Sequence, residues 1–203
     1  MKVIKDIEQG SEEWHEMRRG VITASRFKDV IAKGAGKTRN TYMMELAAEI
    51  LTGEHAPLFT NQYMEWGTQT EPQAKAMYEL NNSVDVVDVA FITNDLIAGV
   101  GVSPDGLIGS NGLIEIKCPK TTTQFETFLS GKMPSSHKAQ VQGQLWISGR
   151  EWCDFVSFDP RINGESSWFS VRVHRDDQYI HNLKESIDIF KNDLNELIQK
   201  LKG

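Results

Sequence analysis

The spacing of apolar residues in the first part of the chain is typical of helices. The clearest amphipathic helix ends at Gly53, and its apolar residues recur every three or four positions. These residues are Met43, Leu46, Ala47, Ile50 and Leu51. Further helices are predicted at 11–20, 23–34 and 63–80, and Pro72 indicates that the last of them either kinks or begins there.

From Val84 onward, β-branched residues alternate with polar ones, which is typical of strands. We predict three adjacent strands, then two helices, and then a β-hairpin that adds two strands to the same sheet. The strands lie at 84–92, 96–102 and 113–117, the helices at 123–129 and 135–147, and the hairpin arms at 151–158 and 167–174.

The C-terminal segment has the heptad spacing of a long helix that begins at Asp176 or Asp177. Its apolar positions are Ile180, Leu183, Ile187, Phe190, Leu194, Leu197 and Leu201. A helix laid across the core of its own domain is favoured over an intermolecular coiled coil, because surface helices of globular proteins commonly carry such a stripe.

Together these elements predict one α/β (α+β) domain over residues 1–203, with a central mixed β-sheet flanked by helices. Hydrophobic residues make up 39% and charged residues 25% of the chain, which is an ordinary globular composition. The N-terminus lacks an apolar leader, and no apolar run is long enough to cross a bilayer, so we expect a cytoplasmic protein without membrane contact. Cys118 and Cys153 lack the spacing of a zinc site and are expected to be reduced.

The formal net charge of −6 argues against a protein that binds nucleic acid by bulk attraction. If DNA is the partner, the basic residues must be concentrated locally. A carboxylate-rich site that holds a divalent metal would reconcile an acidic chain with a polyanionic substrate, because the metal brings its own positive charge.

The candidate chemistry is concentrated in two neighbouring segments, at 103–106 and 113–119. Asp105 lies next to a glycine turn, whereas Glu115 and Lys117 are two positions apart on the following strand and therefore share a face. If the two strands form a hairpin, the carboxylates of Asp105 and Glu115 converge. Taken singly, a Glu-x-Lys strand is usually a solvated face, and a Pro-Asp-Gly segment is usually only a turn.

Two converging carboxylates repel each other, and a hard cation such as Mg²⁺ offsets this repulsion by binding both. A nearby lysine can orient or deprotonate the attacking water, or stabilise the charge that builds on phosphorus. Phosphodiester hydrolysis requires such elements. The joint pattern D-x(9)-E-x-K therefore indicates that Asp105, Glu115 and Lys117 form a site suited to magnesium-dependent phosphodiester hydrolysis, and the resemblance that follows implies a deoxyribonuclease.

This pattern resembles the PD-(D/E)XK nuclease superfamily, whose restriction-endonuclease-like core is a mixed sheet flanked by helices. More widely, the chain resembles the lambda exonuclease family of viral recombination nucleases, also called YqaJ-like. The segments that carry the resemblance keep their order across most of the chain. They are WHEMRRGVITAS at 14–25, EWGTQTE at 65–71, SPDG at 103–106, EIKCP at 115–119 and AQVQGQLW at 139–146.

The resemblance implies that Asp105 and Glu115 are metal ligands, that the backbone carbonyl of Ile116 is a third ligand, and that Lys117 is the catalytic lysine. Glu71 matches a further active-site acid that helps to hold a metal or its water. The implied cofactor is Mg²⁺, with Mn²⁺ as the alternative, at two ions per active site.

Gln142 matches a glutamine that contacts the reacting region from a helix. Without the resemblance, it would be interpreted as an amide on a helix surface. The catalytic set implied by the resemblance is therefore Asp105, Glu115, Lys117, Glu71 and Gln142.

Arg18, Ser25 and Ser103 match the pocket that receives the 5′-phosphate. An arginine offers a forked pair of donors, and hydroxyls beside a helix N-terminus add neutral ones. Without the resemblance, Arg18 would be a helix C-terminal cation and Ser25 an N-cap, and capping is compatible with anion binding.

The chain departs from the lambda protein at two places. An additional pocket arginine follows the catalytic lysine in the lambda protein, whereas this chain has Lys120 and then three threonines, so Lys120 or the threonine hydroxyls are the candidates for its replacement. The basic loop at 33–39 also has Ala35 where the lambda protein has an arginine near the strand-separating region.

Members of this family digest one strand of linear duplex DNA from a 5′-phosphorylated end, processively, and release mononucleotides. A homotrimeric ring encloses the DNA, and the 3′ overhang passes to a single-strand annealing protein. The resemblance therefore implies a Mg²⁺-dependent 5′-to-3′ exonuclease for phage-type homologous recombination, of phage or prophage origin, in the cytoplasm of a bacterial host.

Two other functions stay open at this point. The first is a structure- or sequence-specific DNA endonuclease of the same superfamily. The second is a catalytically inactive DNA-binding or assembly module. The joint presence of Asp105, Glu115, Lys117 and Glu71 argues against the second, because a decayed site should have lost at least one of them.

Overall fold

The computed structural model describes residues 1–32, 36–55 and 61–203. The helices are α1 (Glu12–Arg18), α2 (Phe27–Val30), α3 (Lys37–Thr52), α4 (Gln62–Asn82), α5 (Thr121–Ser130), α6 (Lys138–Ser148) and α7 (Asp177–Lys202). The strands are β1 (Lys2–Ile4), β2 (Ile22–Thr23), β3 (Val86–Val87), β4 (Phe91–Thr93), β5 (Val100–Val102), β6 (Gly106–Ile108), β7 (Gly112–Lys117), β8 (Trp152–Phe158) and β9 (Trp168–His174).

The predicted mixed α/β architecture is confirmed, but the strands form two sheets rather than one central sheet. One sheet has the order β1-β4-β5-β2, and the other has the order β3-β6-β7-β8-β9. Both are mixed, since β2 is parallel to β5 and β7 is parallel to β8, whereas the remaining pairs are antiparallel. The predicted neighbours at 96–102 and 113–117 therefore do not pair, and the antiparallel partner of β7 is the short strand β6, with β8 on the other side.

Local capping fixes where several helices begin and end. Ser11 caps α1 by accepting from the Trp14 N–H, and Asn61 caps α4 in the same way. The helix α4 therefore begins well before Pro72 and continues through it, which excludes a start at that proline, one of the two predicted alternatives.

Two predictions about the segment at 23–39 also change. The helix predicted there is reduced to a short 3₁₀ turn followed by α2, and its predicted end at Gly34 lies outside the described residues. The predicted basic loop at 33–39 is helical from Lys37 onward, whereas 33–35, including Ala35, lies outside the described residues.

Helices cover both faces of the five-stranded sheet. On one face, Ile114 and Ile116 pack with Ala74 and Tyr78 of α4. On the other face, Leu113 belongs to the larger core that also contains residues of α3, α6, α7 and the four-stranded sheet. This alternation is the period of two that a strand buried on both faces requires.

The helix α7 lies across this larger core, as its heptad spacing predicts. Its buried residues are Ile180, Leu183, Ile187, Phe190, Leu194 and Ile198. The predicted last position of the stripe, Leu201, is instead 55% exposed. A straight α-helix drifts by about 20° per heptad, so the buried stripe moves to Ile198 at the end of the helix. No helix in the described ranges is both long enough and apolar enough to span a membrane.

Gly143 allows α6 to approach α2 closely, which yields a prediction about stability. A methyl group at Gly143 would overlap the ring of Phe27, which has no exposed surface, whereas a methyl group at Gly67 in α4 meets no described atom within 4 Å. We expect Gly143→Ala to lower the free energy of unfolding by about 1–3 kcal/mol because the core becomes overpacked. Gly67→Ala should instead raise it by up to about 1 kcal/mol, because alanine favours the helix.

Urea denaturation of the two variants beside the wild type measures both effects. A Gly143→Ala protein as stable as the wild type would show that Phe27 moves aside without cost, and would contradict the packing described for α6.

Candidate active site

The hairpin formed by β6 and β7 brings two acidic residues together. Gly106 pairs with Ile114, so Asp105 and Glu115 are the next opposite pair in the antiparallel register. The Asp105 N–H donates to the Ile114 carbonyl at 3.2 Å, and the Ile116 N–H donates to Oδ2 of Asp105 at 2.5 Å. The two carboxylates therefore converge, as the sequence predicts for a hairpin.

The carboxylate of Glu115 is fully buried and is held by three donors. The ammonium of Lys117, two positions along the same strand, forms an ion pair with Oε1 of Glu115. From α6, Gln140 Nε2 donates to Oε1 at 2.5 Å, and Gln144 Nε2 donates to Oε2 at 2.6 Å. The charge of Glu115 is thus stabilised by charge-assisted hydrogen bonds rather than by water.

Electrostatic coupling places Glu71 of α4 beside the same group of charges. Burial, and then repulsion by Glu115, raises the pKa of the Glu71 carboxyl, although Lys117 opposes this shift. Burial, followed by repulsion from Glu115, raises the pKa of Asp105 well above its usual value. Lys117 is the ammonium that acts on all three carboxylates, and Lys75 adds a further attraction at Glu71.

The side chain of Lys117 stays protonated beside these carboxylates. Burial acts to lower the pKa of Lys117, but attraction to Glu115 and Asp105 outweighs burial and raises it above its usual value. A lysine in this state donates hydrogen bonds and stabilises negative charge, and it does not accept a proton from water.

The donors around Asp105 fit a hard divalent cation. Asp105, Glu115 and Glu71 with Lys117 carry a net charge of −2 when all are ionised (three negative charges and one positive), which a divalent ion balances. In the described ranges, no three His, Cys, Asp or Glu side chains are already gathered closely enough to hold a metal ion. Two carboxylates with a nearby carbonyl at Ile116 still suit Mg²⁺, which keeps several water ligands and uses only one or two carboxylates.

A second group of polar residues lies next to the carboxylates. The Arg18 guanidinium donates to Oγ of Ser103 at 2.9 Å and lies 3.9 Å from the ring centroid of Trp14, whose Nε1 also donates to Ser103 at 3.2 Å. Burial lowers the pKa of Arg18 to about 10, so the side chain remains charged at neutral pH. Ser25 is exposed, and its hydroxyl lies 3.3 Å from that of Thr23.

One cleft connects the two groups, since Arg18, Ser25, Glu71 and Asp105 all line it. Its volume of about 1410 Å³ exceeds the range of about 300–1,000 Å³ that is typical of pockets for small ligands. A cleft of this size accommodates the end of a polymer.

The glutamines of α6 require a correction. Gln142 Nε2 donates to the His174 carbonyl at 2.9 Å, and its Oε1 accepts from the Asp176 N–H at 2.9 Å, so its amide ties α6 to the segment before α7. The prediction that Gln142 contacts the reacting region is therefore wrong. The glutamines of α6 that donate to Glu115 are instead Gln140 and Gln144, and their spacing of four places them on one face of the helix.

Two candidates for the replacement of the pocket arginine have other contacts. The Lys120 ammonium lies 3.9 Å from the ring centroid of Tyr63, and Thr121 Oγ1 donates to Asp159 at 2.6 Å. The Thr122 and Thr123 side chains are exposed, and the replacement of the pocket arginine by one of the four residues stays a prediction.

Comparison with known proteins identifies the family of this chain. A family model described as the YqaJ-like viral recombinase domain matches residues 13–151. An alkaline exonuclease, LHK-Exo, from Laribacter hongkongensis is 42% identical, with a TM-score of 0.89 over 95% of this chain and 96% of that chain. Its complex with dAMP gives a TM-score of 0.90 at the same identity and coverage.

A phage-related exonuclease from Haemophilus somnus 129PT shares the fold, with a TM-score of 0.68 over 89% of this chain and 96% of that chain, at 18% identity. No curated protein matches the sequence. The fold and the site together define a deoxyribonuclease. The chain belongs to the YqaJ-like viral recombinase family, which confirms the predicted resemblance to the lambda exonuclease group.

The repulsion between the carboxylates predicts how stability responds to Asp105→Asn. The pKa of Asp105 is higher in the folded state than the value of about 4 in an unfolded chain, so ionisation of Asp105 destabilises the fold as pH rises through this interval. In EDTA at pH 7.5, Asp105→Asn should therefore raise the free energy of unfolding by about 1 kcal/mol.

The gain should shrink as pH is lowered towards 4, because the wild-type carboxyl is then protonated as well. Thermal denaturation across this pH range measures the effect, and Asp85→Asn, at an exposed acid, is the matched control. A loss of stability in Asp105→Asn at neutral pH would contradict the repulsion inferred for this site.

Proposed function

We propose that this protein is a Mg²⁺-dependent 5′-to-3′ exonuclease that degrades one strand of linear double-stranded DNA from a 5′-phosphorylated end. The observation that carries the proposal is the presence of two groups in one cleft. Arg18 donates to the hydroxyl of Ser103. Asp105 follows Ser103 by two positions in the sequence and lies opposite Glu115. A phosphate receptor directly beside the cleaving carboxylates suits an enzyme that starts at a strand end.

The metal would be held by the carboxylates of Asp105 and Glu115 and the carbonyl of Ile116, with Glu71 helping to hold a second ion or a metal-bound water. When bound, Mg²⁺ or Mn²⁺ supplies positive charge at the phosphate and a water of lowered pKa. Donor chemistry and net charge support this assignment, since every candidate ligand is an oxygen and the carboxylates outnumber the ammonium.

Lys117 acts as an electrostatic stabiliser in this proposal. Its raised pKa keeps the ammonium charged, so it can donate to a phosphate oxygen and offset the negative charge that develops during hydrolysis. The ion pair with Glu115 holds the ammonium beside the carboxylates before substrate arrives.

Arg18, Ser25 and Ser103 would receive the 5′-phosphate. The Arg18 guanidinium is partly buried and charged. Its contact with the Ser103 hydroxyl brings the hydrogen-bond donors of these two side chains together at the proposed phosphate site. Trp14 holds both side chains in position, because its ring stacks on the Arg18 guanidinium and its Nε1 donates a hydrogen bond to Ser103.

Handling of the polymer is proposed from the family. A homotrimeric ring, processive release of mononucleotides and transfer of the 3′ overhang to a single-strand annealing protein follow the lambda exonuclease resemblance. The complex of the Laribacter enzyme with dAMP, a mononucleotide, supports this type of product. Enclosure in a ring also explains how a chain with a net charge of −6 could retain duplex DNA.

A test of substrate and polarity uses linear duplex DNA labelled at either end, with closed circular plasmid as the competitor. With Mg²⁺, the wild type should release labelled mononucleotides from 5′-phosphorylated ends, leave the circle intact and lose all activity in EDTA. Cleavage of the circle would contradict the exonuclease proposal and favour the endonuclease alternative.

The same assay tests the lysine. Lys117→Ala should lower the cleavage rate by at least about 100-fold, because one donor to the transition state is removed, while binding of DNA ends changes only slightly. Lys132→Ala, at an exposed lysine after α5, is the matched control and should retain the wild-type rate. Near-normal turnover by Lys117→Ala would refute the role given to this residue.

The phosphate pocket is tested by a pair of adjacent arginines. Arg18→Ala should reduce the preference for 5′-phosphate over 5′-hydroxyl ends by about tenfold, because a charge-assisted hydrogen bond to the phosphate is lost. Arg19→Ala is the control, since Arg19 binds Glu16 and the Gly53 carbonyl instead. The ratio of the two cleavage rates is measured for each variant, and an unchanged ratio in Arg18→Ala would reject the pocket.

A further inference from the structure

The helix α6 presents two glutamines, one turn apart, to the buried carboxylate of Glu115. Gln140 donates to Oε1 at 2.5 Å, and Gln144 donates to Oε2 at 2.6 Å. Neither Glu115 nor Gln144 has any exposed surface. Both oxygens of the carboxylate are therefore fixed from the same helix, without the help of solvent.

The two oxygens differ in how many donors they accept from. Oε1 accepts from Gln140 and also pairs with the Lys117 ammonium, whereas among the described residues Oε2 accepts from Gln144 alone. A carboxylate has about four lone-pair sites, two on each oxygen. Oε2 therefore keeps a lone pair that no described donor occupies, and Gln144 is the residue that orients this oxygen.

The carbonyl oxygen of the Gln144 side chain, Oε1, does not contribute a hydrogen bond to the packing of α6 within the described part of the chain. This oxygen is buried and has no hydrogen-bond partner among the described residues. If the amide were rotated by 180°, its oxygen would face the carboxylate of Glu115 and repel it. Because the NH₂ group donates to the carboxylate, the amide oxygen is left without a donor. A buried acceptor without a donor is costly, and an apolar side chain of the same size would serve packing better.

A neutral amide also suits a metal ligand better than a charged donor would. Lysine or arginine at this position would cancel the charge of Glu115 and compete with the cation, whereas glutamine orients the carboxylate and leaves its charge intact. Partners of this kind are a general feature of metal sites, in which ligating carboxylates are themselves hydrogen-bonded.

We propose that Gln144 is a positioning residue that holds Oε2 of Glu115 in the orientation in which this carboxylate binds the catalytic cation. This inference rests on the metal site of the proposed function. It assigns to Gln144 a role distinct from that of Gln140, because Gln140 shares its acceptor oxygen with Lys117 and Gln144 does not share its own.

The test compares Gln144→Met with Gln142→Met. Methionine has a similar length but no donor, so Gln144→Met releases Oε2 and also removes the unpaired acceptor. The matched variant Gln142→Met, in the same buried helix, breaks the contacts with His174 and Asp176 instead. Mg²⁺ binding to the DNA-free protein is measured by calorimetry, and cleavage is measured as a function of Mg²⁺ concentration.

Gln144→Met should weaken Mg²⁺ binding about 10-fold to 100-fold and raise the half-saturating Mg²⁺ concentration for cleavage by a similar factor. The rate at saturating Mg²⁺ should fall less than the affinity. Gln142→Met should lower the melting temperature and leave Mg²⁺ affinity unchanged. Gln144→Asn, which keeps the amide but shortens its reach, should weaken Mg²⁺ binding as Gln144→Met does, and it provides the second variant.

Unchanged Mg²⁺ affinity in both Gln144 variants, with normal binding by the wild type, would overturn this inference and leave the proposed function standing. An equal loss in Gln142→Met would also overturn it, since the effect would then reflect packing of α6. A wild type that does not bind Mg²⁺ would overturn the metal site and this inference together.

Discussion

Asp105 and Glu115 lie opposite each other because Gly106 pairs with Ile114, so the register of β6 and β7 brings the two carboxylates together. Strand pairing thus holds two like charges in a partly buried space, with Glu71 close enough to add to the repulsion. Neighbouring residues offset the repulsion between these carboxylates. Lys117 supplies one compensating charge, two amides of α6 supply neutral donors, and the charge that remains is matched to a divalent cation.

The sequence pattern was sufficient for the parts of the site that lie on strands. The period of two alone puts Glu115 and Lys117 on one face, and the turn at Gly106 indicates that Asp105 would return to meet them. The helix α6 gave no comparable direction. Most of its residues are buried, so it lacks a polar face that would show which glutamines turn towards β7. The orientation of Gln140, Gln142 and Gln144 is set by tertiary packing.

The fold was predictable to a similar depth. The long helices and the hairpin of β8 and β9 follow from periodic sequence and clear caps. The division into two sheets does not, because β1, β2 and β6 have only two or three residues each and are too short to display alternation. Pairing between strands of this length depends on contacts that are distant in sequence, and the partner of β7 was missed for that reason.

Ser103 and Asp105 are separated by one residue, and that residue is a proline. In the proposed function, the first of these side chains helps to receive the strand end, whereas the second belongs to the cleaving centre. The distance between the residue that receives the strand end and the proposed metal ligand is then set by the short backbone segment between them. The ring of Pro104 restricts this segment, as does the hydrogen bond that Gln9 donates to the Pro104 carbonyl at 2.9 Å. Such a short, rigid connection would hold the Ser103 hydroxyl at a constant distance from Asp105, which suits the release of products of one length.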